Sequence, residues 1–323
     1  MSRNNVLVRV PASTANMGPG FDSLGLALPQ YLWVRMSISE HTAIRLHGDH
    51  LNGIPTTKSN LIYKMAQQVF DKVGFQQPEL DLDVYSDIPL TRGMGSSAAA
   101  IIAGLVAANE LSGATLSDDE LFQMAAMKEG HPDNVGAALY GGMVVTSMDE
   151  DRASVVRLSP PSDLACLLVV PDFQLSTEKA RTVLPAQFSR EDAVYNVSHA
   201  SLLVAAMATG ELELIATGMQ DRLHQPYRSS LVPGMEEILS SATSYGALGV
   251  ALSGAGPTLI AFLRADSSRR EELERFMLGR LHQEGIAAEA YLLRPDGQGV
   301  YVVEDPSAEP HPFDASKGEI HSC

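Results

Sequence analysis

The segment at residues 89–99, Pro-Leu-Thr-Arg-Gly-Met-Gly-Ser-Ser-Ala-Ala, has the clearest chemical content in the chain. Gly93 and Gly95 can adopt positive φ and leave no Cβ to obstruct a ligand. Because an alanine-rich run follows, the N–H groups after the second glycine are expected to begin a helix at the positive end of its dipole. Such a terminus binds anions, and phosphate is its usual ligand. We therefore predict a phosphate-binding loop in which Ser96 and Ser97 add hydrogen bonds or reach a magnesium ion.

Two familiar phosphate-binding loops fit this segment less well. A Walker loop requires a lysine after its last glycine, and no lysine stands near here. The dinucleotide-binding fingerprint matches residues 93–98 literally, but it requires a second parallel strand that ends in an acidic residue about 20 positions on. Here residues 117–120, Ser-Asp-Asp-Glu, form a capping box that begins another helix. The order strand, helix, helix disfavours a Rossmann site, and a purely structural glycine turn is the remaining alternative.

A second polar cluster is Lys-Glu-Gly-His-Pro-Asp-Asn at residues 128–134. Its proline should stand at or just before a helix start, which places Asp133 and Asn134 at the helix N-terminus. A transition-metal site would call for a second dense group of ligands, and the sequence offers none. The tripeptide His-Pro-Asp also marks J-domain co-chaperones, where it joins two basic helices in a much smaller module. The third interpretation is a hard-cation and alcohol site in which Glu129 binds Mg²⁺ and the other side chains face an acceptor.

Further candidate contacts come from the N-terminal stretch at residues 8–25, which is dense in turn formers directly after a strand. We expect a loop there that carries Asn16 and Asp22 at a strand end. An ordinary polar loop with structural glycines explains the same pattern equally well.

Two arginines, Arg181 and Arg228, each lie near a predicted helix end. An arginine fork matches a carboxylate through two parallel hydrogen bonds. Taken alone, either arginine is better explained by an ordinary surface position. The turn at residues 253–258, Ser-Gly-Ala-Gly-Pro-Thr, has small residues that let the backbone approach a ligand or a neighbouring loop.

The hydrophobic pattern predicts the elements that must position these groups. In the first half we expect strands at residues 6–10, 31–38, 80–85 and 141–146, and a helix at residues 60–73. In the second half we expect strands at residues 164–170, 248–252, 258–262 and 287–293, with helices within 176–184 and 191–208 and at 267–284. The second half is close to a split βαββαβ, or ferredoxin-like, arrangement.

Length and composition indicate a two-domain globular protein. The chain has 323 residues, of which 45% are hydrophobic, enough for a full core. The polar run at residues 147–152 is a plausible boundary, which gives domains at 1–152 and 153–303. Residues 304–323, rich in Pro, His, Ser and charged residues, are predicted to be a disordered tail.

Charge and cysteine content limit the partners and the compartment. The net charge of −16 argues against nucleic acid and anionic membrane surfaces as partners. No signal peptide is visible, and the longest apolar run is too short to span a bilayer. Two cysteines cannot form a disulfide framework; Cys166 is predicted to be inert in a buried strand, and the other is Cys323. A reduced cytoplasm fits all of these features.

Taken together and in order, the segments quoted above resemble the GHMP kinase superfamily, which includes galactokinase, homoserine kinase and mevalonate kinase. The phosphate loop is similar to the ATP motif of that superfamily. The N-terminal stretch, the Glu-Gly-His-Pro-Asp-Asn cluster, both arginine segments and the turn at residues 253–258 resemble the homoserine kinases in particular. The resemblance covers about residues 4–303.

This resemblance implies an α+β, two-domain GHMP kinase fold with the active site between the domains. The N-terminal domain is expected to be like the second domain of ribosomal protein S5, and the C-terminal domain to be ferredoxin-like. The implied reaction, with Mg²⁺, moves the γ-phosphoryl group of ATP to the side-chain hydroxyl of L-homoserine in threonine biosynthesis. A homodimer is one possible assembly, and no nucleic acid or membrane partner is implied.

The resemblance also assigns roles to residues. For the nucleotide it implies Asn60 on the adenine side and the loop Pro89, Leu90, Thr91, Arg92, Gly93, Met94, Gly95, Ser96, Ser97, Ala98 and Ala99. For the acceptor it implies Asn16, Asp22, His131, Asp133, Thr177, Arg181, Arg228 and Gly254, with the arginines on the carboxylate and the two aspartates on the ammonium. The implied metal ligands are Ser97 and Glu129, and the implied catalytic group is Asn134, Asp133 and Glu129, with Asn134 beside the acceptor hydroxyl or Asp133 as a base.

Other functions predict different features. A GHMP kinase for another small alcohol, such as mevalonate or a sugar, would have no paired arginines and a different N-terminal loop. A non-enzymatic ATP sensor would have lost Glu129, Asp133 or a serine of the phosphate loop, and all of these are present. A nicotinamide enzyme would show NADH binding in a spectrum of the purified protein.

Overall fold

Two β-sheets form the framework of the protein, one with seven strands and one with four. The structure is a computed structural model that describes residues 4–76, 78–305 and 311–313. The strands are β1 (Asn5–Asn16), β2 (Gly20–Ser39), β3 (Ala43–His47), β4 (Glu79–Ser86), β5 (Met143–Met148), β6 (Ala153–Leu158), β7 (Leu164–Pro171), β8 (Gly249–Leu252), β9 (Leu259–Arg264), β10 (Ala288–Leu293) and β11 (Tyr301–Val303). The helices are α1 (Leu61–Lys72), α2 (Ser96–Leu111), α3 (Asp118–Glu129), α4 (Asp133–Tyr140), α5 (Thr177–Thr182), α6 (Arg190–Thr209), α7 (Ile215–Gly218), α8 (Gln225–Arg228), α9 (Met235–Ser241) and α10 (Arg270–Gln283).

The seven-stranded sheet runs in the order β11-β1-β2-β4-β3, with β5 paired to β2 and β6 paired to β5. Helix α2 packs against β1 and β2 and also against α1, α3 and α4. It is apolar on all sides, and 12 of its 16 residues are buried, as expected for a helix at the centre of a domain. The predicted phosphate loop at its N-terminus is therefore mounted on a rigid central element.

The N-terminal hairpin differs from the sequence prediction. We expected a strand at residues 6–10 followed by a polar loop, and the extent of that loop was wrong, because β1 continues to Asn16 and β2 begins at Gly20, which leaves only a short turn between them. Ser13 and Thr14 are fully buried within β1, and their hydroxyls have hydrogen-bond partners. Since a buried hydroxyl with a partner costs little, these small polar residues extend the strand instead of ending it.

The four-stranded sheet is antiparallel and runs in the order β10-β7-β9-β8. Helices connect β7 to β8, and α10 connects β9 to β10. This is the split βαββαβ order, so the ferredoxin-like prediction for the second half is confirmed.

The first sheet also draws strands from beyond the predicted domain boundary. The polar run at residues 147–152 ends β5 and leads into β6, which pairs back onto β5. Near the other end of the chain, β11 pairs with β1. The division at residues 152 and 153 stays a prediction, and sheet membership places residues 153–158 and 301–303 with the N-terminal sheet.

A short part of the predicted tail lies on the first sheet. Phe313 packs against the cluster formed by Leu7, Trp33, Tyr85 and Val303. The rest of the predicted disordered tail after residue 305 lies outside the described residues.

Two further predictions concern apolar segments. Within the described part of the chain, no helix combines the length and the apolarity that a membrane crossing needs. Cys166 is fully buried in β7, and burial raises the pKa of its thiol, which fits the prediction of an inert core cysteine. Cys323 lies outside the described residues.

Candidate active site

The phosphate loop joins β4 to α2 and directs its carbonyl groups away from its N–H groups. Gly95 is the residue before α2 and has φ +68°. The carbonyl oxygens of residues 91–94 accept hydrogen bonds from Leu175 N (3.1 Å), Thr258 N (3.3 Å), Ser253 Oγ (2.6 Å) and Ser13 N (3.1 Å), in that order. The N–H groups of residues 95–98 donate to no other described residue. They form the predicted anion-binding terminus.

The two loop glycines are required by neighbouring segments. A Cβ on Gly95 would lie 2.1 Å from Ser13 Oγ and 3.1 Å from Asn134 Oδ1. A Cβ on Gly93 would lie 2.2 Å from Ser253 O. We expected the glycines to make room for a phosphate, whereas in the structure their bare Cα atoms let β1 and the turn at 253–258 pack against the loop.

Ser97 and Glu129 form a pair beside the phosphate loop. Ser97 Oγ, in the first turn of α2, donates to Glu129 Oε2 at 2.9 Å, and Glu129 is the last residue of α3. One carboxylate and one hydroxyl next to a phosphate site suit Mg²⁺, which binds one or two carboxylates and fills its other positions with water and phosphate oxygens. The two residues therefore fit the metal-ligand role, which stays a prediction.

The start of α4 gathers three polar side chains. Asp133 Oδ1 lies 2.6 Å from His131 Nδ1 and accepts from the backbone N–H of Asn134 at 2.7 Å. Ser13 Oγ donates to Asn134 Oδ1 at 2.9 Å, which fixes the amide plane of this buried side chain. Asp133 is only 1% exposed, and its Oδ2 accepts from no described residue. This oxygen and Asn134 Nδ2 are the groups available to an acceptor.

The surroundings of His131 raise the pKa of its imidazole. Burial lowers the pKa of the imidazole, but the hydrogen bond with Asp133 and the charges of Asp133, Glu129 and Asp22 outweigh burial, so the net shift is upward. Ligand atoms of Asp22, His131 and Asp133 lie within 4.8 Å of one another and could together hold a metal ion. The Asp22 carboxylate is already paired with Arg181, which reduces the negative charge that it offers to a metal ion.

The turn between β1 and β2 holds the N-terminal contacts in a constrained backbone. Asn16, Met17 and Asp22 have φ of 70°, 45° and 55°. Asn16 Oδ1 accepts from Asp22 N at 3.1 Å, and Asn16 Nδ2 donates to Gly254 O at 2.8 Å. Non-glycine residues rarely adopt positive φ, and such strain is concentrated at functional sites.

Arg181 and Asp22 contact each other directly. The guanidinium of Arg181 donates from Nη1 to Asp22 Oδ2 at 3.0 Å and from Nη2 to Asp22 Oδ1 at 2.7 Å. The resemblance assigns Arg181 to the substrate carboxylate and Asp22 to the neighbouring ammonium, and it does not predict that the two side chains pair with each other.

Arg228, unlike Arg181, donates to backbone carbonyl oxygens and not to a carboxylate. It is 1% exposed, donates from Nε to Ala180 O at 3.0 Å and from Nη1 to Gly254 O at 3.1 Å, and forms no ion pair with any described residue. Burial, and then the charge of Arg181, lower its pKa to about 10. A buried guanidinium without an anionic partner is costly, so this position favours an anionic ligand.

One cavity of about 130 Å³ brings most of these groups together. Of the predicted site residues, those that line it are Asn16, Asp22, Thr91, Gly93, Met94, Gly95, Ser96, Ser97, Glu129, His131, Asp133, Asn134, Thr177, Arg181, Arg228 and Gly254. The phosphate loop, the Ser97–Glu129 pair, the start of α4 and both arginines thus line one cavity, to which both halves of the chain contribute residues.

Six predicted nucleotide contacts do not line this cavity. Asn60 caps α1: its Oδ1 accepts from Ile62 N at 2.9 Å and its Nδ2 donates to Pro55 O at 2.8 Å, so the adenine role stays a prediction. The side chains of Pro89, Leu90 and Arg92 line a separate cavity, and Arg92 bonds to Pro171 O and Asp172. Ala98 and Ala99 are fully buried in the core, and the N–H of Ala99 bonds to Gly95 O.

Sequence reasoning missed several contributors. Ser13 holds Asn134, although 121 residues separate them. His224 is fully buried beside Arg228, and Phe21 and Leu175 line the cavity. A serine within a strand and a histidine before a helix carry no local signal for such roles.

Comparison with known proteins gives relatives over most of the chain. The sequence profile of the GHMP kinases N terminal domain matches residues 60–142, and that of the GHMP kinases C terminal domain matches residues 203–282. A homoserine kinase of Desulfitobacterium hafniense is 46% identical over 298 residues, which cover 92% of this chain and 100% of that protein. A homoserine kinase of Deinococcus radiodurans is 48% identical over 255 residues, which cover 79% of this chain and 83% of that protein.

A solved structure agrees with these sequence relatives. The crystal structure of homoserine kinase from Cytophaga hutchinsonii matches with a TM-score of 0.84 and 28% identity, over 94% of this chain and 98% of that one. The expected two-part GHMP kinase fold is therefore confirmed. Together, the domain profiles, the sequence identities and the shared fold show that the chain belongs to the homoserine kinase family of the GHMP kinases.

Proposed function

We propose that the protein transfers the γ-phosphoryl group of ATP to the side-chain hydroxyl of L-homoserine, giving O-phospho-L-homoserine on the route to threonine. The observation that carries this proposal is the shared cavity, where the unpaired, buried guanidinium of Arg228 and the N–H groups at the start of α2 face one space. A carboxylate at one end and a phosphate chain at the other would satisfy both.

The phosphate loop supplies the nucleotide contacts. The N–H groups of residues 95–98 bind phosphate oxygens, and the Ser96 and Ser97 hydroxyls add donors. Phosphoryl transfer requires mainly positioning and neutralisation of charge, which fixed N–H groups provide without reorganisation. The side chain of Arg92 is bonded to Pro171 O and Asp172, and its part in nucleotide binding stays a prediction.

We further propose that Ser97 and Glu129 hold Mg²⁺. When bound, the ion neutralises the charge that develops on the phosphate oxygens. Glu129 supplies the negative charge for this role, and its hydrogen bond with Ser97 keeps both oxygens at the same side of the loop.

The acceptor end suits a zwitterionic amino acid. Arg228 faces the carboxylate, and the carboxylates of Asp22 and Asp133 face the ammonium. When a zwitterion binds, the ion pair between Arg181 and Asp22 is replaced by two, one from each side chain to the substrate. Little charge is therefore left uncompensated. A neutral sugar would leave the buried guanidinium of Arg228 without an anion, and mevalonate, which has a carboxylate and no ammonium, would bring no cation to Asp22 and Asp133.

Two side chains, Asn134 and Asp133, can contact the acceptor hydroxyl and its proton. Asn134 is an amide and cannot act as a base at neutral pH; with its Oδ1 occupied by Ser13, its Nδ2 is the group that orients the acceptor hydroxyl. Asp133 Oδ2 is the nearby carboxylate oxygen that can accept a proton, if a base is used. In a loose transition state the hydroxyl is deprotonated late, so orientation by Asn134 contributes more than a strong base.

We also propose that Asn60 supports the adenine side through the position of the α1 N-terminus, and that the protein acts in the cytoplasm. A free thiol at Cys166 and the absence of an apolar spanning helix within the described residues support that compartment.

A coupled assay of ADP release with homoserine, threonine, serine, mevalonate and galactose tests the function. We expect Mg²⁺-dependent turnover with homoserine as the best acceptor. A higher kcat/KM for mevalonate or galactose contradicts the acceptor assignment, and ADP release that does not depend on any acceptor contradicts the kinase assignment.

A further inference from the structure

His224 is fully buried between Arg228 and the β1–β2 turn. Its Nε2 lies 2.6 Å from Gly18 O, and its Nδ1 lies 3.3 Å from Arg228 Nη1. A carbonyl oxygen can only accept, so Nε2 carries the hydrogen and Nδ1 is left as an acceptor. The ring therefore links the arginine that faces the cavity to the turn that carries Asn16 and Asp22.

The neighbours of His224 keep it neutral and in this tautomer. Burial lowers the pKa of the imidazole, Asp221 opposes this, and the charge of Arg228 lowers the pKa again, so that the net shift is downward. Asp221 is itself occupied, because it accepts backbone hydrogen bonds from Leu223, His224 and Gln225 and one from Asn196 Nδ2. These bonds fix the start of α8 and hence the position of the ring.

The hydrogen bond with His224 Nδ1 helps to fix the orientation of the Arg228 guanidinium. Its Nε and Nη1 donate to Ala180 O and Gly254 O, while within the described residues Nη2 has no hydrogen-bond partner. A second Nη1 hydrogen is directed at His224 Nδ1, which leaves Nη2 as the end presented to the cavity. Without an acceptor at that point the guanidinium could rotate about its last bonds and present a different edge.

We propose that His224 is a positioning residue for the acceptor: its neutral imidazole accepts from Arg228 and holds the guanidinium with Nη2 toward the substrate carboxylate. This inference rests on the proposed function, since it assumes that Arg228 binds that carboxylate.

Two substitutions test separately the hydrogen bonds made by the two ring nitrogens of His224. His224→Gln places an amide near the position of Nε2, so it keeps the donor to Gly18 O and loses the acceptor beside Arg228. His224→Asn places an amide near the position of Nδ1, so it keeps the acceptor beside Arg228 and loses the bond to Gly18. If His224 positions Arg228, His224→Gln raises the homoserine KM about 3- to 10-fold and His224→Asn stays within about twofold. In both variants the ATP KM stays within about twofold.

A matched control comes from the next residue of α8. Gln225 is 5% exposed and accepts from Leu252 N at 2.8 Å. Gln225→Leu removes a buried hydrogen bond of the same helix, so its melting temperature falls while its homoserine KM stays within about twofold. A purely structural role for His224 would make both histidine variants behave like this control.

These variants distinguish a failure of the proposed carboxylate site from a failure of the positioning role of His224. If Arg228→Ala leaves the homoserine KM unchanged, the proposed carboxylate site and the role of His224 both fail. If Arg228→Ala raises it but His224→Gln does not, or His224→Asn raises it as much as His224→Gln, the positioning role alone is overturned. Adding His224→Gln to Arg228→Ala should raise KM no further, because one group acts through the other.

A measurement on the unmodified protein covers the case in which a variant does not fold. In ¹⁵N spectra of the histidine rings, His224 should show a protonated Nε2 and an unprotonated Nδ1 between about pH 7 and 8. A protonated Nδ1 could not accept from Arg228 and would overturn the inference.

Discussion

Arg181 donates two hydrogen bonds to Asp22, at 2.7 and 3.0 Å, and so joins α5 of the second half of the chain to β2 of the first. Both side chains are about one-third exposed and line the cavity that also contains the phosphate loop. A zwitterion that binds here would replace this ion pair with two, one between its ammonium and Asp22 and one between its carboxylate and Arg181. The pair is therefore an expected determinant of acceptor choice.

Arg181→Ala should weaken homoserine and leave ATP nearly unchanged. The side chain is 38% exposed, which reduces the loss to about 1–2 kcal/mol, or roughly a 5- to 30-fold rise in the homoserine KM. Arg181→Lys should recover only part, because an ammonium cannot make the two-pronged contact. Steady-state kinetics with each substrate varied in turn provides the measurement.

Arg264 is a suitable control for this variant. It is 43% exposed and pairs with Asp163 and Glu213 at a distance from the cavity. Arg264→Ala should change neither KM by more than about twofold. A rise in the ATP KM for Arg181→Ala would instead place this arginine on the phosphates.

Glu129→Gln should raise the Mg²⁺ concentration needed for half-maximal rate by about tenfold or more, since the substitution removes the carboxylate and keeps its shape. A titration of Mg²⁺ at saturating ATP and homoserine measures this. Glu110→Gln, near the opposite end of α2 from Ser97, serves as control and should match the wild type. If Asp133→Asn shifts the titration and Glu129→Gln does not, the ion lies with Asp22, His131 and Asp133 instead.

Gly95→Ala should weaken ATP binding because the new Cβ would lie 2.1 Å from Ser13 Oγ, at a φ of +68° that disfavours a side chain. Calorimetry should show an ATP affinity lower by about tenfold or more. Gly210→Ala has a similar φ of +77° and nothing within 4 Å of its Cβ, so it should cost about 1 kcal/mol of stability and leave ATP binding unchanged.

A second substitution tests why Gly95→Ala loses ATP affinity. Ser13→Ala removes the hydroxyl against which the Cβ collides, so adding it to Gly95→Ala should restore part of the ATP affinity. No restoration would mean that the collision with the Ser13 hydroxyl does not determine the loss of affinity.

Local patterns predicted much of this fold. The capping box at residues 117–120 is present, with Ser117 accepting from Glu120 N, because both partners are three residues apart. The glycine positions of the phosphate loop and the order of strands and helices along the second half were predictable for the same reason. Glycine positions and hydrophobic periods can be read from short stretches of sequence. Asn60 was placed at a helix start, and it caps α1.

The contacts that complete the candidate site depend on tertiary structure. Ser13 meets Asn134 only because β1 packs against α4, and Arg181 meets Asp22 across 159 residues. The extent of β1 was missed since Ser13 and Thr14 look like loop residues until their buried partners are known. One sequence shows which residue types are available for a site, whereas pairing between them is decided by the packing of distant elements.

Far from the cavity, Asp83 in β4 is the centre of a charge network. Its carboxylate accepts from Arg35 (2.9 Å), from Arg45 (2.8 Å) and contacts His47 (2.9 Å), with its side chain 8% exposed. Burial alone would raise its pKa, but the hydrogen bonds from Arg45, His47 and Arg35 outweigh burial and hold the pKa of Asp83 well below its usual range.

Asp83→Asn should therefore destabilise the protein in a pH-dependent way. A carboxylate whose pKa is lowered by folding adds stability that is present above its unfolded pKa of about 3.9 and is lost as the pH falls toward its folded pKa. At pH 7 we expect a loss of about 1–3 kcal/mol, and the difference from the wild type should shrink below about pH 4. Urea unfolding at several pH values measures this. Asp81→Asn, on the same strand, is a weaker control, because Asp81 is more exposed and pairs, among the described residues, only with Arg45. A difference that stays constant between pH 7 and 3 would show that the network contributes through packing and not through the charge of Asp83.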